Sequence, residues 1–282
     1  MKKTLAAALA LAILVGHPVA LSASTKVGSN CTKLGQIQKS GKSLIVCDVI
    51  KGKRVWRNAN LNEKSLYEDK QRKEAVKMEY DKLVNSNLGK RCVVGGTCKV
   101  GNTGPGGGIV FYDEGSKKPW GRYLELAPNG WSGTPEDPTA NWCEVNKHLG
   151  AFGKEIGTGR SNTGIIVATC TSGAAIIASS YSGGGKTDWF LPSNDELNEM
   201  CKFAKNQYTG DPREDCTTFS VYDETIAQTI RKGFTLKGYW SSTEHNGDVF
   251  FIAHKHSLGG WSSARSNNLK TDLFSVRPIR AF

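Results

Sequence analysis

The stretch that decides the fold is GPGGGIVFY at residues 104–112, where five glycine and proline positions lead directly into four apolar ones. Glycine lets the backbone turn tightly and approach a neighbouring strand closely. The apolar run is typical of a buried strand, and YLELA at residues 123–127 is its predicted partner. This stretch therefore predicts a tight turn that leads into a pair of strands.

Four further phrases follow it in a fixed order. They are IGTG at 156–159 with Asn162-Thr163, DWFLPS at 188–193, GYWSSTE at 238–244 and VRPIRAF at 276–282. The order and spacing of the five phrases resemble the Lcl C-terminal domain family, which occurs on bacterial collagen-like adhesins and secreted proteins. The resemblance covers roughly residues 100–282, and five ordered phrases are far more specific than any one of them.

The resemblance implies an α+β, C-type-lectin-like domain related to formylglycine-generating enzymes. It also implies a glycan or protein site in the late loops, with sulfated polysaccharides as ligands of some relatives. The Glu-Pro-Asn and Gln-Pro-Asp strings of calcium-dependent lectins are absent, and no cysteine follows Cys216. We therefore expect neither the calcium site nor the oxidase chemistry of those relatives.

The late part of the chain supplies the candidate ligand-binding residues. Trp faces stack on sugar rings, while Arg, Asn and Glu provide directed hydrogen bonds. These candidates are Trp240, Glu244, Trp261, Arg265, Asn267 and Asn268. Trp240 could instead belong to the core, and Arg277 and Arg280 are expected to brace the last strand through ion pairs.

Capping residues and periodicity predict the helices and strands between these phrases. Asn162 and Thr163 are expected to cap a buried helix that runs to about Ser180. Ser193 and Glu196 form a capping box that begins a second helix, at residues 194–208. The segments 238–242, 249–256 and 274–279 are predicted strands.

The N-terminus has the pattern of an export signal, with Lys2-Lys3, an apolar run and small residues up to position 23. The apolar run is too short for a membrane-spanning helix of about 20 residues. In an exported chain an even number of cysteines predicts disulfides. Connectivity is left open by the sequence, and consecutive pairing is favoured for Cys31, Cys47, Cys92, Cys98, Cys143, Cys170, Cys201 and Cys216.

Positive charge is concentrated near the start of the chain. Residues 24–60 hold eight Lys and Arg against Asp48 alone, whereas residues 92–282 hold nineteen basic and nineteen acidic residues. The first segment is therefore the candidate for docking on an anionic cell envelope. The docking candidates are Lys33, Lys39, Lys42, Lys51, Lys53, Arg54 and Arg57.

Four segments are predicted in all. They are a signal at 1–23, a small one-disulfide hairpin module at 24–60, a charged helical spacer at 61–91 and the lectin-like domain at 92–282. In the module, residues 43–47 and 54–56 are the expected strands. The spacer contains no Gly or Pro up to residue 88, which favours one helix that docks at one end.

No motif in the chain predicts catalysis. The sequence GGGKT at residues 183–187 lacks the first glycine of a phosphate loop and is followed by DWFLP rather than a helix. His254 and His256 would share one strand face, and a polar solvent face is favoured over a metal site. We expect no cofactor, resident metal or nucleic-acid partner. A secreted, non-enzymatic binding or adhesion protein is the first hypothesis; an enzyme with an unrecognised site and a structural surface component are the alternatives.

Overall fold

The structure, a computed structural model, describes residues 25–92, 97–207, 214–216, 230–259 and 265–282. The predicted signal at 1–23 and Trp261 lie outside these residues. The described residues form two compact units, which divide between Gln71 and Arg72. The boundary between them falls inside the predicted spacer helix.

The first unit contains a three-stranded antiparallel sheet in the order β1-β2-β3. Its strands are β1 (Ile37–Ser40), β2 (Ser43–Ile50) and β3 (Lys53–Asn58). Four buried residues form its core, namely Cys31, Ile45, Cys47 and Trp56. The predicted hairpin is therefore present, with one additional strand.

Helix α1 (Leu61–Asn87) begins in the first unit and ends in the second. Asn60 starts it with a capping box, because its side chain accepts from the Glu63 N–H while the Glu63 carboxylate accepts from the Asn60 N–H, at 2.9 and 2.8 Å. In the second unit, Val84 is fully buried in the main core. The sequence predicted one long helix here with one docked end, and the structure has both features.

Two sheets build the second unit. The smaller one has the order β11-β5-β4 and the larger one the order β6-β10-β7-β8-β9. Their strands are β4 (Ile109–Lys118), β5 (Gly121–Leu126), β6 (Thr139–Ala140), β7 (Gly238–Glu244), β8 (Ile252–Ser257), β9 (Arg265–Leu269), β10 (Phe274–Ser275) and β11 (Ile279–Ala281). The predicted pairing of the first two strands is confirmed, since β4 runs antiparallel to β5. The predicted strand at 274–279 is instead two short strands in different sheets.

In the described part of this unit, three helices pack on the sheets, namely α2 (Gly159–Val167), α3 (Ala174–Ser179) and α4 (Asn194–Lys205). The prediction that Asn162 and Thr163 cap one helix ending near Ser180 is wrong. Asn162 lies inside α2, where its side-chain amide donates to the Gly153 carbonyl at 2.7 Å. The helix is interrupted before Gly173, whose φ of +107° suits glycine and whose missing Cβ leaves room for the Trp142 carbonyl.

The capping box that begins α4 is confirmed. The Ser193 hydroxyl accepts from the Glu196 N–H, and the Glu196 carboxylate accepts from the Ser193 N–H. Burial raises the pKa of Glu196 to about 7, although backbone N–H groups of Ser193 and Gly157 partly offset this effect. The mixture of helices and sheets makes the second unit α+β, as predicted.

Four disulfides are present, so the expectation of disulfide bonding is confirmed. They join Cys31 to Cys47, Cys92 to Cys98, Cys143 to Cys170 and Cys201 to Cys216, which is the consecutive pairing favoured from the sequence. Such bonds are consistent with an oxidising compartment outside the cytoplasm. In the part of the chain that is described, no helix combines the length and apolar character needed to cross a membrane.

Candidate functional site

A cleft of about 880 Å³ lies beside the β4–β5 hairpin of the second unit. Three basic residues line it, Arg91, Lys117 and Arg122, together with the rings of Tyr123 and Phe282. No acidic side chain is among the described residues of its lining. The surface is therefore basic and aromatic, although the unit carries almost as many acidic as basic residues.

The floor of the cleft is the Gly104–Gly108 turn, which a buried carboxylate holds in place. Glu125 is completely buried and accepts from the N–H groups of Gly106 and Gly108, at 2.9 and 3.2 Å. Arg280 donates to the same carboxylate at 2.9 Å. An added Cβ at Gly104 or Gly106 would collide with this carboxylate, so the close approach predicted for the glycine run is confirmed.

Arg122 is held between a carboxylate and an aromatic ring. Its guanidinium donates two hydrogen bonds to Asp113, at 2.7 and 3.0 Å, and lies 4.9 Å from the centre of the Tyr123 ring. These hydrogen bonds raise the pKa of Arg122 above its usual value. Asp113 therefore fixes and neutralises the Arg122 guanidinium, whereas Arg91 and Lys117 are exposed and have no ion pair among the described residues.

One wall of the cleft is formed by the end of the chain. The Phe282 N–H donates to the Tyr123 carbonyl at 3.1 Å, and the Tyr123 N–H donates back to the Phe282 carbonyl at 3.0 Å. The two rings lie 5.4 Å apart at a tilt of 33°. Paired backbone and packed rings together fix the aromatic surface that the cleft presents.

The GGGKT phrase packs against the floor of the cleft. Residues 183–185 form a single 3₁₀ turn, and Gly184 has a φ of +62°. A Cβ on Gly184 would lie 2.4 Å from the Gly106 carbonyl carbon, so the two glycine-rich phrases touch through their backbones. Extended chain follows the turn, and the sequence argument against a phosphate loop therefore agrees with the structure.

Two of the predicted ligand-binding residues belong to the scaffold, which corrects that prediction. Trp240 is fully buried, and its indole N–H donates to the Ala140 carbonyl at 2.9 Å. Glu244 is also fully buried, where it pairs with Lys270 at 2.6 Å and accepts from the backbone of Leu149. Neither side chain has any surface for a ligand to contact.

The remaining late candidates that the structure describes, Arg265, Asn267 and Asn268, lie on an edge strand and not in a loop. Arg265 begins β9 and donates to Asp195 at 2.7 Å, with Asp215 also 2.8 Å away. Asn268 donates to the Asp272 carboxylate at 3.2 Å, and Asn267 is exposed. The structure therefore ties Arg265 to two carboxylates and leaves Asn267 as the free polar group of this set.

The two strand histidines do not form the expected solvent face. His256 is completely buried and contacts the Asn194 side-chain oxygen at 2.8 Å. Burial lowers the pKa of His256, and burial together with the charge of Lys154 lowers that of His254 to about 4. The histidines are neutral parts of a packed sheet, because the helix α4 covers this face of β8.

One grouping of residue types could suggest a metal site, namely Cys143, Glu144 and Cys170. The two sulfur atoms are joined in a disulfide, so they are not thiolate ligands. The Glu144 carboxylate accepts from the Thr171 N–H at 2.6 Å, and this backbone hydrogen bond helps to lower its pKa to about 2. The three residues therefore belong to a loop that this disulfide and this hydrogen bond hold in place.

In the first unit, the docking candidates divide into two sets. Arg57 is neutralised, because it donates to Asp48 at 2.7 Å and to both oxygens of Glu63. Its inclusion among the docking residues is therefore corrected. The others are exposed, and they are Lys33, Lys39, Lys42, Lys51, Lys53 and Arg54.

Sequence reasoning missed the cleft because its lining comes from four separate segments. Lys117 and Arg122 flank one hairpin turn, but Arg91 and Phe282 are far from it in the chain. The only local signal was the GPGGG run, whose small residues leave room for a concave floor. Spacing along the chain does not show which distant cations that floor will gather.

No family model matches this chain, and no curated protein or solved structure matches it either. The resemblance to the Lcl C-terminal domain family and the C-type-lectin-like fold therefore stay predictions, while the α+β class and the disulfides are established.

Proposed function

We propose that the protein is a secreted, non-enzymatic binding protein whose second unit takes an anionic glycan in the cleft. The observation that carries this proposal is the lining, in which the cations Arg91 and Lys117 lie with Tyr123 and Phe282 and no acidic side chain occurs among the described residues. Guanidinium and ammonium groups bind carboxylates and sulfates, and aromatic rings pack on sugar faces. A volume of about 880 Å³ lies within the usual range for small-ligand sites.

The basic cleft also explains how a domain without net charge could bind an anionic ligand. A domain with equal numbers of acidic and basic residues has no bulk attraction for a polyanion. Ion pairs inside the scaffold occupy many of its charges, such as Arg277 with Asp137 and Arg280 with Glu125. Local cations can therefore dominate one surface even though the net charge of the domain is near zero.

The first test is a glycan array probed with the chain that lacks residues 1–23, followed by titration of the best ligands. We expect anionic glycans to bind and neutral ones not to, with affinity falling as salt rises. The variant R91Q/K117Q should weaken binding about thirtyfold, at roughly 1 kcal/mol for each charge contact.

The matched control is K90Q/K118Q, which removes two positive charges from neighbouring residues that do not line the cleft. It should weaken binding much less than R91Q/K117Q does, because neither residue lines the cleft and Lys118 is already paired with Glu114 at 3.4 Å. Equal losses in the two variants, or an array on which no anionic glycan binds, would contradict the cleft proposal.

We also propose that the exposed lysines of the first unit dock the protein on the anionic cell envelope. Asp48 is the only acidic residue between positions 24 and 60, and Arg57 already neutralises it. Replacing the five exposed lysines of the sheet region by Gln should therefore abolish salt-sensitive retention on an anionic polymer such as polyphosphate. The cleft variant R91Q/K117Q should keep this retention, and retention of the five-lysine variant would disprove the docking proposal.

A further inference from the structure

The turn between β2 and β3 combines exposed cations with exposed aliphatic side chains. We call residues 49–54 the hairpin tip. Val49 and Ile50 are 50% and 43% exposed, and Lys51, Lys53 and Arg54 are exposed beside them. Aliphatic side chains gain nothing from a hydrated polyanion, so this combination of groups matches a partner that is both anionic and apolar.

The strand register places one aliphatic residue on each face of the tip. Val49 pairs with Arg54, and Ile50 pairs with Lys53. Since side chains alternate along a strand, Val49 continues the buried stripe of Ile45 and Cys47, while Ile50 points to the opposite face. A rigid surface could cover only one of these faces, whereas a fluid interface can surround both.

The turn itself presents its charge at the end of the hairpin. Lys51 and Gly52 both have positive φ values, +52° and +76°, as expected for a two-residue hairpin turn of the I′ type. Asparagine or glycine adopts this conformation at lower cost than lysine. The chain therefore keeps a lysine at the outermost position of the tip despite its backbone preference.

The residues next to the tip also combine cations with an exposed aliphatic side chain. The Arg54 guanidinium donates to the Thr32 carbonyl at 2.9 Å, and the residues that follow are Lys33 and Leu34. Leu34 is 55% exposed. The nearest acidic residue in the sequence, Asp48, is paired with Arg57, so the tip cations face no carboxylate among the described residues.

We infer that the hairpin tip inserts into the headgroup region of an anionic lipid bilayer. Lysine and arginine would contact the lipid phosphates, and the aliphatic side chains would enter the boundary with the acyl chains. The inference rests on the proposed envelope docking and names its occupant: a lipid surface rather than a polymer. Nothing crosses the bilayer in this arrangement.

The test measures partition of the chain lacking residues 1–23 onto vesicles of phosphatidylcholine with about one-third phosphatidylglycerol. The variant V49S/I50S keeps every charge, and we expect its partition to fall about tenfold. Its retention on polyphosphate should be unchanged, because a hydrated polymer does not bury these side chains. Leu61→Ser, which alters an 84% exposed leucine in the same unit, should leave vesicle partition unchanged.

Charge is tested with a matched pair of single variants. K51N removes one of the three tip charges with a residue that tolerates the turn, and K42Q removes one beyond the opposite end of β2, a strand about 23 Å long. We expect K51N to lower vesicle partition about fivefold and K42Q less than twofold, since the Debye length is about 10 Å.

The outcomes separate the inference from the proposal beneath it. The lipid inference would be overturned if V49S/I50S partitioned onto vesicles as strongly as the parent chain does. It would also be overturned if K51N and K42Q lowered vesicle partition equally. Retention on polyphosphate without vesicle binding would overturn it as well, while leaving the docking proposal standing. If the five-lysine variant were still retained on polyphosphate, the docking proposal itself would be wrong.

Discussion

The first unit exposes its lysines around a core of four buried residues, whereas the second unit buries several of its charges in pairs. Lys270 with Glu244 and Arg277 with Asp137 are almost fully removed from solvent, at 2.6 and 2.7 Å. Charge therefore serves different purposes in the two units. In the second it fixes distant segments to one another, and in the first the lysines of the sheet region stay exposed to solvent.

The strongest test of this comparison removes one member of a buried pair. E244Q leaves the Lys270 ammonium buried without a counter-charge, so we expect the second unit to lose about 3–5 kcal/mol of unfolding free energy. Denaturant titration measures the loss. The double variant E244Q/K270M should recover part of it, because no unpaired charge remains.

The exposed pair Lys237 and Glu136 provides the control for that experiment, with side chains 56% and 67% exposed. E136Q should leave the unfolding free energy almost unchanged, because solvent screens this pair. If E136Q and E244Q were equally destabilising, the distinction between buried and exposed charge in this protein would be lost.

Much of the local structure, but less of the site, could be predicted from the sequence. The capping box of Ser193 and Glu196 and the strand after the GPGGG run depend on residues a few positions apart, and both are present. Arg277 and Arg280 were expected to form ion pairs, and both do. Their partners Asp137 and Glu125 lie more than a hundred residues away, which sequence spacing does not reveal.

The incorrect assignment of Trp240 and Glu244 to a ligand site has the same physical origin. Trp240 and Glu244 are amphipathic or charged side chains that would suit a binding surface equally well. Only the packing of Ala140 and Lys270 against them shows that they are buried. Trp261 lies outside the described residues, so its role stays a prediction.

A second experiment compares how far each unit depends on its covalent links. Removing Cys31–Cys47 or Cys143–Cys170 should cost about 3 kcal/mol in each case in the chain-entropy model. Because two of the four residues in the buried cluster of the first unit are the cysteines of this disulfide, C31A/C47A should unfold it, while C143A/C170A should leave the second unit folded.

Hydrogen exchange can follow each unit separately. We expect the β2 amides to lose their protection in C31A/C47A and the β7 amides to keep theirs in both variants. Persistent protection of β2 without its disulfide would show that the first unit is stabilised by something other than this bond.

The smallest expected effect is a difference in acid sensitivity. In the folded protein the pKa of His254 is about 4, whereas an unfolded imidazole titrates near 6.5. As the pH falls through this window the unfolded chain binds more protons, so the unfolding free energy of the second unit should drop by about 2 kcal/mol. H254Q should reduce this drop.

Residues 24–71 contain no histidine, which makes the first unit an internal reference. Thermal unfolding between pH 7 and pH 4 should show no corresponding histidine-dependent change in its transition. An identical pH profile for the parent chain and H254Q would mean that His254 is not a source of acid sensitivity.

The buried Glu125 carboxylate beneath the Gly104–Gly108 turn has a consequence for the kinetics of recognition. Because folding already orders this floor, a ligand entering the cleft would not have to arrange it. Association should then proceed by a simple encounter without a slow conformational phase, and the Gly106 and Gly108 amides should exchange equally slowly before and after binding. The entropic cost of ordering the cleft floor would thus arise during folding, through the hydrogen bonds of Glu125, and not during binding.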